Sequence, residues 1–444
     1  MSLIGRLATK QSAWLNGLIA RSAWASFATA AIDESASHQP STSGQAKRIR
    51  SKELSAASVG AYYSLDPAVL PEAGQVYAGA FYAPREPGHE RHGGCKALQQ
   101  EVSLTGTHSI MYRPVMHNLF NALGAHDRHH QRLLLSGPAG SGKSIALVGL
   151  VEWARQHGWI VLYIPSCSAL VQGGYFARRG SSNRWDTLTS AQQLLKGLMD
   201  AHGPKLKQMP VLSLLEEQQP QQQQHQRQPA AGAAASDGAL SAEAEAAAAL
   251  RESFRGRTLY DLATGALRGD DNAQLAADTV LELVRQLMAA SSVVRDGKPQ
   301  SPVLFALDDY NCLYGGTDYG WYSPREDPRR ARRRPIHSDD LVLASGLRLM
   351  DTPQLGTATV VAATTTSLSL PAPPAPPALR MPHTELRVPG FSEAEVRNAL
   401  AHYHATGYAS CLATSRQARQ LHALTQGNAR ELRMNTSTLG LKLS

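Results

Sequence analysis

Two groups of residues in this chain have the types and spacing to do chemistry. The first is Gly137-Pro138-Ala139-Gly140-Ser141-Gly142-Lys143-Ser144, a Gly-x-x-x-x-Gly-Lys-Ser run. Its glycines let backbone wrap closely around phosphate oxygens, in conformations that a Cβ opposes. Loop N–H groups and a following helix N-terminus supply positive partial charge. Lys143 adds a full charge toward β/γ-phosphates, and the Ser144 hydroxyl is a ligand type for Mg²⁺. The second group is Asp308 with Asp309, directly after the apolar run Val303-Leu304-Phe305-Ala306-Leu307. Ligands of open α/β sheets bind at the carboxyl ends of strands, where an aspartate can hold Mg²⁺ beside the loop serine, directly or through water. The plainer alternative is a pair of acids that start a turn.

The elements that must position these groups are legible around them. Leu133-Leu134-Leu135 reads as a buried strand entering the loop, and 145–157 as a helix leaving it, with apolar Ile145, Leu147, Val148, Leu150, Val151 and Trp153. Strand, glycine loop and helix in that order make the context of a phosphate-binding P-loop. Trp159 to Pro165, Val303 to Leu307, Ala358 to Thr364 and Glu385 to Val388 supply four further strands. The continuous apolar run of Trp159 to Pro165 suits a parallel sheet covered on both faces. Helices are expected over 114–123, 188–199, 258–267, 274–290 and 338–350. The fold class is therefore α/β, a P-loop NTPase domain with a parallel five-stranded sheet.

The chain of 444 residues has room for about two or three domains. It holds 43% hydrophobic residues but no apolar run of about 18, so no membrane span is expected. Four cysteines (Cys95, Cys167, Cys312, Cys411) lie far apart with no CxxC spacing, against a disulfide framework or a zinc ribbon. His126-Asp127-Arg128-His129-His130 lacks ligands at a second location and reads as a solvated loop. Residues 1–31 are basic (Arg6, Lys10, Arg21), Ser/Ala-rich, amphipathic and free of acids. That is the composition of a mitochondrial or plastid transit peptide; an ordinary amphipathic helix is the alternative. Without those three cations the net charge falls from +8 to +5, only mildly basic.

Residues 32–110 read as a solvated tail and an extended arm, punctuated by Pro and Gly. The domain proper spans 111–389, with insertions at 216–250 (Gln/Pro/Ala repeats) and 323–335. The second insertion carries Arg325, Arg329, Arg330, Arg332, Arg333 and Arg334, which suit RNA phosphates or form a solvated charge run. Thr364-Thr365-Thr366 either senses a γ-phosphate or caps its strand. After the Pro371 to Pro377 linker, Ser392-x-x-Glu395 is a capping box that opens a small helical domain, 390–444. Gly427 to Arg433 in that domain sits where many P-loop ATPases place a second arginine sensor, the plainer alternative being a solvated basic residue at a helix start.

Together these segments resemble a family. Trp159 to Pro165, Leu307-Asp308-Asp309-Tyr310-Asn311-Cys312-Leu313-Tyr314-Gly315 and Asp340 to Arg348 are similar to the mitochondrial small-subunit ribosomal protein of the death-associated protein three family, over about Tyr112 to Arg433. The resemblance implies an AAA-type topology, a mitochondrial matrix location in the small ribosomal subunit, and contacts with ribosomal RNA and protein neighbours. It also implies guanine-nucleotide binding, with Gly137, Pro138, Ala139, Gly140, Ser141, Gly142, Lys143, Ser144 and Asp308 at the motif positions. GTP or GDP with Mg²⁺ is then the expected cofactor set, with ATP not excluded, because no Asn-Lys-x-Asp segment is present. Where AAA-type ATPases carry a glutamate after the metal-binding aspartate this chain has Asp309, one methylene shorter, so weak or absent hydrolysis is expected. An active AAA-type NTPase that remodels partners in the matrix is the alternative.

Overall fold

The computed structural model describes residues 53–70, 96–124, 132–180, 182–212, 248–254, 256–268, 272–292, 294–295, 298–299, 302–322, 332–365 and 379–440. The transit-peptide reading (1–31), the histidine cluster at 126–130 and the proline linker lie outside these residues, as does nearly all of the Gln/Ala insertion.

In chain order, β1 (Tyr62–Ser64), α1 (Lys96–Thr105) and β2 (Ser109–Met111) come first, with β1 and β2 antiparallel and Tyr62 opposite Met111. Then follow α2 (Pro114–Gly124), β3 (Arg132–Ser136), α3 (Lys143–Gln156), β4 (Ile160–Ile164) and α4 (Cys167–Val171). A short ribbon, β5 (Phe176–Arg178) with β6 (Trp185–Thr187), leads into α5 (Leu188–Leu206), α6 (Leu259–Arg268) and α7 (Ala273–Ser291). Next are β7 (Val303–Leu307), a hairpin of β8 (Gly316–Trp321) and β9 (Arg334–His337), α8 (Val342–Gly346), β10 (Thr359–Ala363) and β11 (Thr384–Arg387). Helices α9 (Glu393–Ala405), α10 (Ser415–Thr425) and α11 (Ala429–Gly440) close the chain.

Five strands form one parallel sheet in the order β11-β3-β10-β7-β4. Its central strands are buried on both faces, which is why they read as continuous apolar runs. Alternate residues enter two separate cores. Leu134, Ile160, Leu162, Val303, Phe305, Val360 and Ala362 face α5, α6 and α7. Leu133, Leu135, Val161, Tyr163, Leu304, Ala306 and Val361 face α2, α3 and the β1/β2 ribbon. The register is level: Leu307 sits beside both Ala362 and Ile164, and Ser136 beside Arg387.

Three expectations change. Within the segment read as an extended arm, Lys96–Thr105 is helical, because Leu98 and Val102, four apart, both turn onto the α3 side. The helix expected over 338–350 is broken into two single 3-10 turns around the five-residue α8. There Arg348 reaches sideways to the Leu313 carbonyl and the Ser338 hydroxyl instead of following a helix face. The arginine run ends as strand β9, with Arg334 paired to Trp321.

Helix α3 lies close against the N-terminal ribbon at Gly149, where an added Cβ would overlap Met116 Cε and stand 2.8 Å from Tyr63 Oη. Gly149→Val should therefore destabilise the fold by about 1–3 kcal/mol through overpacking, read as a lower urea midpoint with an unchanged slope.

Candidate functional site

The level strand ends decide where the chemistry sits. The glycine loop leaves β3 and Asp308 leaves β7, with β10 between them. Two strand spacings are about 9–10 Å, a gap that side chains from both edges can close. Lys143 opens α3 behind Gly142, whose φ of 94° is in the left-handed region. Gly140 has a φ of 74°, and a Cβ there would collide with the Asn428 side chain. At Gly137 a Cβ would strike the Val388 carbonyl, since the residue after β11 packs directly on the loop. The glycines are thus required by positive φ at all three positions, 140° at Gly137, and by close approach at Gly137 and Gly140.

The residues that the sequence singles out come together. Ser144 hydrogen-bonds Asp308, whose carboxylate also accepts the Asp309 N–H at 3.0 Å. Lys143 donates to the carbonyls of Gly137 and Pro138, both at 2.8 Å, and is buried. Burial pushes its pKa down, and the neighbouring Asp308 and Asp309 charges oppose that. Asp308 is only 3% exposed; burial raises its pKa well above the carboxylate range, Asp309 adds to the rise, and Ser144 and Lys143 work against it. A hydroxyl and a carboxylate beside an open helix N-terminus are the donor set that Mg²⁺ uses when phosphates complete its shell. Among the described residues no group of three or more His, Cys, Asp or Glu could hold a metal by itself.

Asp309 faces elsewhere. It takes a left-handed conformation (φ 55°, ψ 36°), and its Oδ2 accepts the hydroxyls of Ser166 and Ser168, both at 3.2 Å. Asn311 clips β7 to β10 by exchanging two hydrogen bonds with the Thr365 backbone, at 2.8 and 2.9 Å. Thr364 is buried and its hydroxyl donates to the Leu135 carbonyl at 3.3 Å. Arg433 pairs with Glu101 and Gln100 of α1, away from the loop.

Sequence reasoning missed Arg113. It is 4% exposed and donates to Glu395 at 2.7 Å, to the Ser141 carbonyl at 2.6 Å, and to the carbonyls of Pro389 and Gly390 at 3.0 and 3.1 Å. No local pattern announces it, because its carboxylate partner lies 282 residues away. Burial acts to raise the Glu395 pKa, but the Arg113 hydrogen bond and charge and the Ser392 N–H leave it below the usual glutamate value.

A family model described as mitochondrial ribosomal death-associated protein 3 matches residues 111–435. The chain belongs to that family. No individual curated protein matches it. Membership makes it a mitochondrial ribosomal protein of the small subunit that resides in the matrix, with ribosomal RNA and ribosomal proteins as its class of partner. No described helix of this death-associated protein 3 family member is long and apolar enough to cross a membrane.

A second surface, on the β8/β9 hairpin, is aromatic and basic. Trp185 of β6 and Trp321 of β8 lie 6.1 Å apart. The guanidinium groups of Arg334 and Arg178 sit over the Trp321 ring at 5.3 and 5.9 Å. Arg332, Arg333 and Arg334 are exposed, as is Tyr322; Arg325, Arg329 and Arg330 lie outside the described residues.

Asp308 also has a consequence for stability. Its pKa in the fold stands above the unfolded value of 3.8, so the folded state binds more protons and stability falls as pH rises from about 4 toward the folded pKa. Asp308→Asn in nucleotide-free protein should raise the thermal midpoint at pH 7, on the order of 2 °C. That advantage should shrink as the pH is lowered toward 4. A lower midpoint at pH 7 would contradict this account of the buried carboxylate.

Proposed function

We propose that this family member holds a guanine nucleotide and Mg²⁺ at residues 137–144, as a structural constituent of the mitochondrial small ribosomal subunit with little or no hydrolysis. The observation that carries the reading is the meeting of Ser144 with Asp308 across the intervening strand, with Lys143 beside them. In the bound state Lys143 exchanges the Gly137 and Pro138 carbonyls for phosphate oxygens. Ser144 and Asp308 are the residues that would hold Mg²⁺, which supplies positive charge against the β- and γ-phosphates when bound. One strand between the loop-bearing and aspartate-bearing strands supports the AAA-type topology that the resemblance implies. The guanine base comes from the family resemblance alone.

The state of Asp309 favours binding over turnover. A residue that orients attacking water must present a free acceptor to it, and Asp309 Oδ2 is held by two serine hydroxyls. An active partner-remodelling NTPase is correspondingly less well supported. A bound nucleotide then acts mainly by mass action, stabilising the fold whenever its concentration well exceeds Kd. Contacts with ribosomal RNA are assigned to the exposed arginines of β9 and the residues just before it, with Trp321 and Tyr322 between them.

Lys143→Ala removes a charge-assisted contact worth about 1.5–3 kcal/mol, so GDP or GTP affinity in calorimetry should fall by about tenfold or more. An unchanged Kd would sink the phosphate reading. Replacing Arg332, Arg333 and Arg334 with Gln should flatten the salt dependence of RNA binding by about 0.7–0.9 in log–log slope per lost phosphate contact. A slope equal to the wild type would leave these arginines as a solvated charge run.

A further inference from the structure

Three consecutive carbonyls of the glycine loop are held from outside it. Asn428 donates its side-chain amide to Ala139 at 3.1 Å, the Ala429 N–H donates to Gly140 at 3.1 Å, and Arg113 Nη1 donates to Ser141 at 2.6 Å. In a planar trans peptide the C=O and the next N–H point in opposite directions. Anchoring the Ser141 carbonyl on Arg113 therefore turns the Gly142 N–H away from Arg113, and anchoring Ala139 on Asn428 does the same for Gly140. Those are the donors that a phosphate-binding nest requires. The loop's inward face is thus set by groups on its outer face.

Arg113 is the charged member of this frame and the one with the longest reach. Its fork spans the end of the N-terminal ribbon, the loop, the segment after β11 and helix α9, and its guanidinium lies 4.7 Å from the Phe391 ring centroid. Glu395 holds it with both carboxylate oxygens, and Oε2 also accepts the Ser392 N–H at 2.7 Å to complete the capping box of α9. One carboxylate therefore fixes the start of α9 and the orientation of the arginine. A buried guanidinium without that partner would be left uncompensated.

We propose that Arg113 is the positioning residue of the phosphate loop, and that Glu395 holds it there, so that the first C-terminal helix sets nucleotide affinity without touching the nucleotide. This rests on the phosphate-binding reading of 137–144. Neither residue belongs to the Gly-x-x-x-x-Gly-Lys-Ser pattern. Lysine at position 113 keeps the charge but lacks the planar fork that reaches Ser141, the two carbonyls and Glu395 together. Glutamine at 395 keeps the shape and removes the charge.

The test is calorimetric titration of the full chain with GDP and Mg²⁺, with the thermal midpoint of each nucleotide-free variant measured in parallel. Arg113→Lys and Glu395→Gln should each weaken GDP binding by about tenfold, with the double variant within about twofold of either single one, because the two act through one contact. Asn398→Ala is the structural control: on the same helix it donates to the Gly60 carbonyl at 2.9 Å, away from the loop. It should lower the midpoint while leaving Kd within about twofold. Arg113→Lys binding GDP within about twofold of wild type overturns the proposal alone, as does Asn398→Ala weakening GDP as much as Glu395→Gln. A wild-type chain that binds no GDP or GTP overturns the phosphate reading and this proposal together.

Discussion

The constraint on which the rest depends is the level register of the parallel sheet. Because β3, β10, β7 and β11 end at the same height, the loop after Ser136, the aspartate after Leu307, the threonines after Ala363 and the turn after Arg387 share one edge. A shift of one residue in β7 would turn Asp308 to the other face and drive Phe305 out of the core under α5 and α7 into the tighter one under α2 and α3, where Leu304 and Ala306 now sit. Hydrophobic alternation on the two faces therefore fixes the position of the polar groups at the edge. The site is a by-product of packing that would be needed in any case.

That edge carries a stability cost and a set of offsets. A carboxylate with 3% exposure is destabilising when ionised. Ser144, the Asp309 N–H and the Lys143 charge offset part of this. The Lys143 ammonium donates to two loop carbonyls, so the loop is closed on itself by its own cation. Under the proposed phosphate-binding function, a ligand that supplied phosphate oxygens and a divalent ion would replace those contacts with charge-assisted ones. At the same edge Asp309 is committed to the serines that begin α4, and its backbone there is left-handed.

The outer frame of the loop has the opposite character. Asn428, Ala429, Arg113 and Glu395 are held by hydrogen bonds that join the segment before α2 to the C-terminal helices. The C-terminal helices thus pack on the loop as well as on the arm, where Tyr62 stacks on His402 at 3.7 Å. The segment before α2 and the C-terminal helices are thereby tied to one central loop. It also places the arginine-bearing β8/β9 hairpin outside that frame, on a ribbon packed to β5 and β6 through Trp185 and Phe176.

What the sequence determined by itself is local or periodic. Gly137 to Ser144 declares a loop because only glycines and that lysine spacing serve it, and four of the five strands show because double-sided burial demands unbroken apolar runs, the exposed edge strand β11 being the exception. The capping box at Ser392 and Glu395 closes within four residues and was legible for that reason. The 338–350 segment misled because its leucines have helical spacing, while its turns are set by Arg348 reaching back to Leu313. Only tertiary structure decided which partners the polar side chains would take. Asp309 meets Ser166 across 143 positions and Arg113 meets Glu395 across 282. Such pairs leave no period in the sequence, since a buried charge is satisfied by whichever group the folded sheet brings within hydrogen-bond reach.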